Sequence, residues 1–368
     1  MSKSVDRVID DAIANKSIVG TEVIAAKGSK IIYRRAAGYF DREAGIAMPE
    51  NAIYRLASVT KPIVATTALA MADKDLLKFS DRVDHYLPYF RPRLSDGSVA
   101  AITIAHLLTH TAGLSYGYPG DSVITTGMKD TNLDHEQNLT RIAAQPLLFA
   151  PGTGWNYSVA TDVLGAVLAA IHGGTLGEAA ATHVTAPLGM KDTGFSVSDP
   201  ARLAPPYADG APAPLRMGDH QDVINEDGDT ISFSPVRLWN PRAFQSGGAG
   251  MVGTATDILT LLETLRTGGG GIVSPATVAA AMSNQIGDLP RDEAGLRFGY
   301  LGAVVADPHA AETPEAPGSV NWGGVYGHSW LVDPANELVM VSMSNTALEG
   351  CLGVYPRNVR NALYADFV

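Results

Sequence analysis

Two short stretches of this sequence could each supply a nucleophilic serine. The segment GLSYG at 113–117 fits the G-x-S-x-G pattern of a nucleophile elbow, with Ser115 at its centre. The segment SVTK at 58–61 places Ser58 three residues before Lys61, a lysine that could act as its base. The two hypotheses require different local structures. An elbow needs a strand before the serine and a helix after it, whereas the Ser-x-x-Lys pair needs a helix start.

The residues around Ser115 argue against an elbow. Before it, Ile104, Leu107 and Leu108 fall at helical spacing, and Thr103 is suited to cap that helix. After it, the segment YGYPGDS contains glycine and proline and does not favour a prompt helix. In a chain with 38 glycines, a chance match to the pattern is a sufficient explanation. We therefore expect that Ser115 is not the nucleophile.

The residues around Ser58 favour the second hypothesis. From Thr60 to Leu77 the pattern is helical, so Ser58 and Lys61 would share one face, with Cβ atoms about 5–6 Å apart. Pro62 fits there only because it falls within the first helical turn. A lysine is a base only when neutral, and burial together with the positive end of a helix favours the neutral form. The motif alone leaves open a solvent-facing lysine on an ordinary helix.

Length and charge limit the classes of protein. The chain has 368 residues, so we expect two lobes or one large domain with an insertion. A net charge of −11 disfavours nucleic acid as a partner. The single cysteine, Cys351, allows neither an intramolecular disulfide nor a cysteine-based zinc site. No apolar run reaches the roughly 20 residues of a membrane span, and the N-terminal segment is acidic where a signal peptide is apolar. We therefore expect a cytoplasmic protein without a membrane partner.

The predicted elements place strands at both ends of the chain and helices between them. Capping signals start helices at Thr175, Thr254 and Ser274, and the Pro-, Asp- and Gly-rich segment 200–245 is expected to form extended loops. The elements near the termini are a helix at 5–15, a hairpin of strands 22–27 and 30–39 with Gly28 at the turn, strand-rich segments at 296–306, 325–333 and 337–345, and a last helix at 356–366.

This order predicts an α+β fold. An antiparallel sheet, flanked by helices and built from both termini, carries an inserted and mainly helical lobe. We expect the sheet lobe at 1–62 plus 250–368, the helical lobe with its extended loops at 63–249, and the active site between them.

The histidines raise the question of a metal site. His106 and His110 have the four-residue spacing of a zinc pair, but HLLTH lacks the glutamate of H-E-x-x-H. We expect structural histidines, and neither a metal nor another cofactor. His328 could line a pocket or pack within a strand.

Six segments, taken together and in order, resemble a known superfamily. The resemblance is to the serine β-lactamases and penicillin-binding proteins, and it covers nearly the whole chain. Within that group the sequence is most similar to the family VIII carboxylesterases, which are class C β-lactamase-like. The segments are YRLASVTKP (54–62), LLTHTAGL (107–114), GWNYSVA (154–160), PLGMKDTGF (187–195), GGAGMVGTATDIL (247–259) and NWGGVYGHSW (321–330).

The resemblance implies a serine β-lactamase-like fold and assigns roles by position. Ser58 matches the family nucleophile, Lys61 its base, and Tyr157 the tyrosine that shares proton transfer with the lysine. Trp322, Gly323 and Gly324 match the third motif, on the strand that borders the site. The implied oxyanion hole consists of the N–H groups of Ser58 and Val325.

Two departures from the family pattern concern the substrate. β-Lactamases and DD-peptidases carry Lys-Thr-Gly in the third motif, but this chain has no lysine after Lys191, and Trp322 stands in that place. The asparagine expected two residues after Tyr157 is Val159. Both changes favour uncharged, short-chain esters over β-lactams. The expected activity is therefore that of a serine carboxylesterase acting through a Ser58 acyl-enzyme on a small-molecule ester.

Other assignments stay open at this point. In the resembling family the loop after LTHTAGL borders the cleft, so Ser115 and Tyr116 are expected to contact the substrate, and Trp155 and Tyr118 could line an acyl pocket or the core. A β-lactamase, a DD-peptidase, an amide hydrolase, an acyltransferase and a non-catalytic binding protein are the alternatives. The sequence leaves the oligomeric state undetermined.

Overall fold

The computed structural model describes residues 3–117, 124–225 and 228–368. Tyr118, a candidate pocket residue, lies outside these ranges. The helices are α1 (Lys3–Ala14), α2 (Thr60–Ala72), α3 (Val83–Tyr86), α4 (Ile104–Leu108), α5 (His135–Ala143), α6 (Ala160–His172), α7 (Leu176–Ala180), α8 (Ala255–Arg266), α9 (Pro275–Ala281) and α10 (Val354–Phe367). Shorter helical turns lie at Ala57–Val59, Ala181–Thr185, Pro200–Arg202 and Pro235–Trp239.

The strands are mostly near the two ends of the chain. They are β1 (Gly20–Lys27), β2 (Lys30–Asp41), β3 (Ile46–Ala47), β4 (Tyr54–Arg55), β5 (Tyr207–Ala208), β6 (Leu215–Arg216), β7 (Gln221–Ile224), β8 (Thr230–Phe233), β9 (Val252–Gly253), β10 (Leu296–Phe298), β11 (Ala303–Val305), β12 (Val320–Gly324), β13 (His328–Asp333) and β14 (Leu338–Ser344).

One eight-stranded antiparallel sheet joins the two ends of the chain. Its order is β10-β11-β12-β13-β14-β1-β2-β3, and β1 pairs with β14 at its centre. The N-terminal β1–β3 and the C-terminal β10–β14 therefore form a single sheet, as predicted, and the α+β fold class is confirmed. The exact boundaries of the two lobes stay a prediction.

Turn chemistry sets the register of the predicted hairpins. Gly28 has a φ of 56°, a left-handed conformation that glycine adopts readily, and Lys27 then pairs with Lys30. Between β13 and β14, the carboxylate of Asp333 accepts hydrogen bonds from the backbone N–H and side-chain amide of Asn336. The first turn lies where the sequence predicts it, and the second lies between the strand-rich segments predicted at 325–333 and 337–345.

The sheet is covered on both faces. Val23 and Ala25 of β1 face a cluster formed with α1 and α10, whereas the alternate residues Ile24 and Ala26 face the main core with α2 and α8. This double coverage explains why β1 is buried along almost its whole length. Helix α2 lies deep in the main core, with every residue from Thr60 to Met71 buried.

The capping predictions are confirmed, and one loop prediction needs correction. Thr175, Thr254 and Ser274 each accept a hydrogen bond from the backbone N–H three residues ahead. The segment 200–245, predicted as extended loops, contains two short hairpins, β5–β6 and β7–β8. Their two- to four-residue strands are too short to show a clear alternation in the sequence.

No single helix in the described ranges is long and apolar enough to cross a bilayer. By length and composition alone, one pair could do so together, Ala160–His172 with Leu176–Thr185, and these two helices meet at a bend of 79°.

Strand β12 lies directly against the segment that carries Ser58. A Cβ on Gly324 would overlap the carbonyl oxygen of Leu56 and lie 3.1 Å from Val59 Cγ2. A Cβ on Gly323 would lie 2.7 Å from Cys351 Sγ. The two glycines therefore allow a close approach of backbones at this edge of the sheet.

Replacing Gly324 with alanine is expected to lower the free energy of unfolding by about 1–3 kcal/mol, because the strand must move away from Leu56. Gly194→Ala is the matched control, since nothing lies within 4 Å of the position its Cβ would take. Urea unfolding of both variants tests this. Equal stabilities would show that close backbone approach does not constrain Gly324.

Candidate active site

Ser58 lies in the helical turn directly before α2. The residues on either side of this turn are hydrogen-bonded to Met251, which follows the glycine-rich segment 247–250. The backbone N–H of Leu56 donates to Met251 O at 2.9 Å, and the N–H of Met251 donates to Thr60 Oγ1 at 3.1 Å. Ala57, next to the serine, has a φ of 44°, a conformation uncommon for a residue with a Cβ. The serine is thus presented at a tightly held and locally strained turn.

Lys61 places its amine next to Ser58, as the helix-start hypothesis predicts. Its Nζ lies 3.1 Å from Ser58 Oγ, 3.0 Å from Tyr116 OH and 2.8 Å from Gly248 O. The residue is only 6% exposed, which excludes the alternative of a solvent-facing lysine. The amine is held by three uncharged oxygens, one from the same helix start and two from distant parts of the chain.

Tyr157 reaches the same serine from the other side. Its hydroxyl donates to Ser58 Oγ at 2.8 Å, and Trp322 Nε1 donates to the Tyr157 hydroxyl oxygen at 3.2 Å. The Tyr157 ring lies 4.7 Å from Lys61 Nζ, within cation–π distance. The structure therefore brings Tyr157 and Trp322, which lie far away in the sequence, together with the local pair Ser58 and Lys61.

The two histidines of HLLTH have structural positions. His106 Nδ1 accepts from the Thr103 N–H in a capping box, whereas His110 lies beyond the end of α4 and accepts from the Ser158 N–H. Burial lowers the pKa of His110 well below its usual value, aided by the charge of Lys61, so its ring packs behind Tyr157 as a neutral group. In the described ranges no group of three His, Cys, Asp or Glu side chains could hold a metal ion.

An aromatic wall, formed by Trp155, Phe298 and Trp322, continues from Tyr157. The Phe298 ring lies 5.4 Å from both tryptophan rings. Behind the wall, the Arg291 guanidinium lies 4.3 Å from the Trp155 ring centre and pairs with Glu293. Burial lowers the pKa of Arg291 to about 10. No sequence motif indicates Phe298 or Arg291, because these contacts join distant segments of the chain.

The predicted substrate-binding residues have different surroundings. Ser115 follows the predicted helix, and its Oγ bonds to both N and O of Gly117 at 3.0 Å. The Tyr116 hydroxyl accepts from Lys61 Nζ, and the expected contact of Ser115 and Tyr116 with a substrate stays a prediction. Gly323 and Gly324 pack so closely on their neighbours that a side chain at either position would overlap them, which is a structural requirement for glycine. Their contact with a substrate stays a prediction.

Val325 follows the end of β12, and no acceptor in the described part of the chain occupies its N–H. Gly324, its neighbour, packs on the Ser58 turn. An oxyanion hole formed by the N–H groups of Ser58 and Val325 stays a prediction. His328 is buried, and its Nε2 lies 2.8 Å from Arg55 O. Of the two alternatives for this residue, the structure therefore shows packing within a strand.

Asp162 is a residue of the site that no sequence motif indicates. It is buried in the first turn of α6, and its Oδ1 accepts from Ser246 Oγ at 2.5 Å and from the Gly248 N–H at 3.3 Å. An acid within the otherwise apolar helix ATDVLGAVLAA is the signal that could have found it.

The arrangement suits acyl transfer through a nucleophilic serine. One group, the Lys61 amine, can remove the Ser58 proton, and another, the Tyr157 phenol, can supply a proton to a leaving group.

Known proteins are similar to this chain in sequence and in fold. The family model described as Beta-lactamase matches residues 5–363. The chain is 45% identical to Esterase EstB of Burkholderia gladioli, over 99% of this chain and 95% of that protein. It is 26% identical to the Lovastatin esterase of Penicillium rubens, over 93% and 92%. The solved structure of "EstCE1, a hydrolase with promiscuous acyltransferase activity" superposes with a TM-score of 0.94 at 41% identity and covers 98% of each chain.

Ser58 is expected to be the serine that reacts with a fluorophosphonate probe, because its hydroxyl has both the Lys61 amine and the Tyr157 phenol as partners. Intact-mass spectrometry should show one phosphonyl group on the unmodified protein and none on Ser58→Ala. Ser115→Ala is the control and should still become labelled. Labelling that persists in Ser58→Ala and disappears in Ser115→Ala would restore the elbow hypothesis.

Proposed function

The chain belongs to the β-lactamase family, and within it we propose a serine carboxylesterase that hydrolyses short-chain, uncharged carboxylic esters. The superfamily recognised from the motifs is confirmed. The observation that carries the proposal is Ser58 Oγ within hydrogen-bond distance of both Lys61 Nζ and Tyr157 OH. The 45% identity to an esterase over nearly the whole chain supports the same activity.

Acylation begins with proton transfer from Ser58 to Lys61. When the amine is neutral, its two N–H groups donate to Tyr116 OH and Gly248 O, and its lone pair faces Ser58 Oγ. The Oγ–carbon bond forms as the proton moves to Nζ and the carbonyl π pair moves to oxygen. The N–H groups of Ser58 and Val325 are the proposed donors to this oxyanion, and removal of one such donor typically costs about 10²–10³ in rate.

Tyr157 completes acylation by protonating the leaving alkoxide. Its hydroxyl hydrogen points toward Ser58 Oγ, and the Trp322 N–H that donates to the phenol oxygen stabilises the phenolate that forms. The proton held on Lys61 then returns to Tyr157. Water enters, gives one proton to the same pair and attacks the acyl carbon, and Ser58 leaves with its proton restored. An alcohol in place of water would transfer the acyl group, so acyl transfer is a side reaction of the same intermediate.

The preference for uncharged esters rests on Trp322. It occupies the position where β-lactamases and DD-peptidases place a lysine, and it offers an indole face and one N–H, which Tyr157 already accepts. A carboxylate placed against this wall would lose its hydration without gaining a cation, which is costly. The β-lactamase, DD-peptidase and amide hydrolase alternatives are therefore not favoured. The family VIII assignment belongs to this proposal, and the cytoplasmic location stays a prediction.

The substrate class is tested with paired p-nitrophenyl esters of equal acyl length, one neutral and one ending in a carboxylate. The neutral ester is expected to have the higher kcat/KM by about tenfold or more, which corresponds to about 1.4 kcal/mol. Nitrocefin, as the β-lactam control, should be a poor substrate, and Ser58→Ala should be inactive on all three. A preference for the charged ester or for nitrocefin would contradict the proposal.

Trp322→Phe is expected to lower kcat about 2- to 10-fold with little change in KM, because the ring remains but the hydrogen bond to Tyr157 OH is lost. Trp239→Phe makes the same substitution at a side chain that is 54% exposed and serves as the control. Steady-state kinetics on the neutral ester measures both. A rise in KM with kcat unchanged would show that Trp322 contributes binding alone.

A further inference from the structure

A buried carboxylate, that of Asp162, contacts Gly248, one of the residues that accept from the Lys61 amine. Asp162 is 1% exposed, and its Oδ1 accepts from the N–H of Gly248 at 3.3 Å. The carbonyl oxygen of that same Gly248 accepts from Lys61 Nζ at 2.8 Å. A single glycine therefore links the acid on one side to the amine on the other.

The second oxygen of this carboxylate has no hydrogen-bond partner in the described ranges. A Cβ on Gly248 would lie 2.7 Å from Asp162 Oδ2 and 3.3 Å from Tyr116 OH, the hydroxyl that accepts from Lys61. Only the glycine backbone therefore separates the free oxygen from the surroundings of the amine. A buried carboxylate with one oxygen that lacks a hydrogen bond lowers the stability of the fold. The hydrogen bonds to the loop therefore do not fully explain why an acid occupies this position.

The charged and titratable groups around Asp162 come from three elements. Lys61 faces it from α2, His135 from the start of α5, and Arg237 from the turn Pro235–Trp239. Burial lowers the pKa of His135, so this ring is neutral near pH 7, and Arg237 donates to the backbone oxygens of Lys129 and Phe244. Burial raises the pKa of Asp162, and the Ser246 hydrogen bond and the Lys61 charge oppose that effect.

The groups around Lys61 itself carry no formal charge. Its hydrogen-bond partners are the hydroxyls of Ser58 and Tyr116 and the carbonyl of Gly248, and Tyr157 and the neutral His110 lie beyond them. An ammonium formed in these surroundings has only neutral dipoles in direct contact. A buried cation of this kind needs a counter-charge nearby.

We propose that Asp162 is a positioning residue whose carboxylate supplies this counter-charge and, through Gly248, holds the loop that receives the Lys61 amine. The inference rests on the proposed function, because it concerns the step in which Ser58 gives its proton to Lys61. As the Oγ–carbon bond forms, the proton joins the Nζ lone pair and the carbonyl π pair moves to oxygen. The ammonium and the oxyanion appear together, and Asp162 stabilises the former.

Asp162→Asn tests the charge while keeping the shape, since the amide oxygen can still accept from Ser246 and Gly248. Loss of the negative charge makes the protonated base less stable, so the base loses its proton at lower pH. The midpoint of the acid limb in the plot of kcat/KM against pH is expected to shift to lower pH by about one pH unit. The kcat on a neutral p-nitrophenyl ester is expected to fall about 10- to 100-fold. KM should change less than about threefold.

Asp257→Asn is the matched control. Asp257 is a half-buried acid of α8 that accepts from the Asp192 N–H and Thr193 Oγ1, and it has no contact with Lys61. Its replacement should leave the acid limb in place. Ser246→Ala is the milder second variant, because it removes a donor that favours ionised Asp162 without changing the acid itself. It should move the limb in the same direction by a few tenths of a unit.

An unmoved acid limb in folded Asp162→Asn, with only stability or KM changed, would reduce the residue to a structural role and overturn the proposal. Where circular dichroism shows that Asp162→Asn does not fold, an unmoved limb in Ser246→Ala overturns it instead. Ser58→Ala separates this outcome from failure of the proposed function. Full activity in that variant refutes the serine mechanism, whereas an inactive Ser58→Ala with unmoved limbs refutes only the role of Asp162.

Discussion

A lysine amine buried in the first turn of a core helix sets the conditions for the rest of the site. Every residue of α2 from Thr60 to Met71 is buried, so Lys61 can keep a polar end there only if the surrounding chain supplies hydrogen-bond partners. Ser58 does so from the same helix start, and Tyr116 and Gly248 do so from distant loops. The same buried position places the amine within hydrogen-bond distance of Ser58 Oγ, so the contacts that satisfy the amine also bring it to the serine.

These contacts require backbones to approach closely, which accounts for the glycines around the site. The loop at 247–250 passes α6 so tightly that a Cβ on Gly248 would lie 2.7 Å from Asp162 Oδ2. On the opposite side, Gly324 lets β12 rest on the Ser58 turn. The sheet edge and the loop are fixed against α2 by backbone packing, so the side chains that reach Ser58 need little adjustment. Such preorganisation is what proton transfer within the site depends on.

The sequence predicted the parts of this site that depend on local spacing. The contact between Ser58 and Lys61 follows from an i, i+3 pair at a helix start, and the spacing of Ile104, Leu107 and Leu108 predicts the helix that precedes Ser115 in place of an elbow strand. Tyr157 and Trp322 could be assigned only through the family resemblance, because nothing local connects them to Ser58. Phe298, Arg291 and Asp162 escaped prediction since their roles arise from contacts between distant segments, which periodicity does not encode. The short hairpins within 200–245 escaped because strands of two to four residues leave no readable alternation.

Replacement of a lysine by Trp322 changes the electrostatics of the site as a whole. Strand β12 carries no cation, and the charged groups near the site include the Asp162 carboxylate behind Gly248 and Arg291, which pairs with Glu293 behind the aromatic wall. None of them offers a fixed positive charge for a substrate carboxylate. Trp322 also donates its indole N–H to the Tyr157 hydroxyl oxygen, so the polar atom of this side chain already has a partner. Under the proposed mechanism, a site with this distribution would select substrates by shape and apolar contact, and its charges would serve the proton transfers.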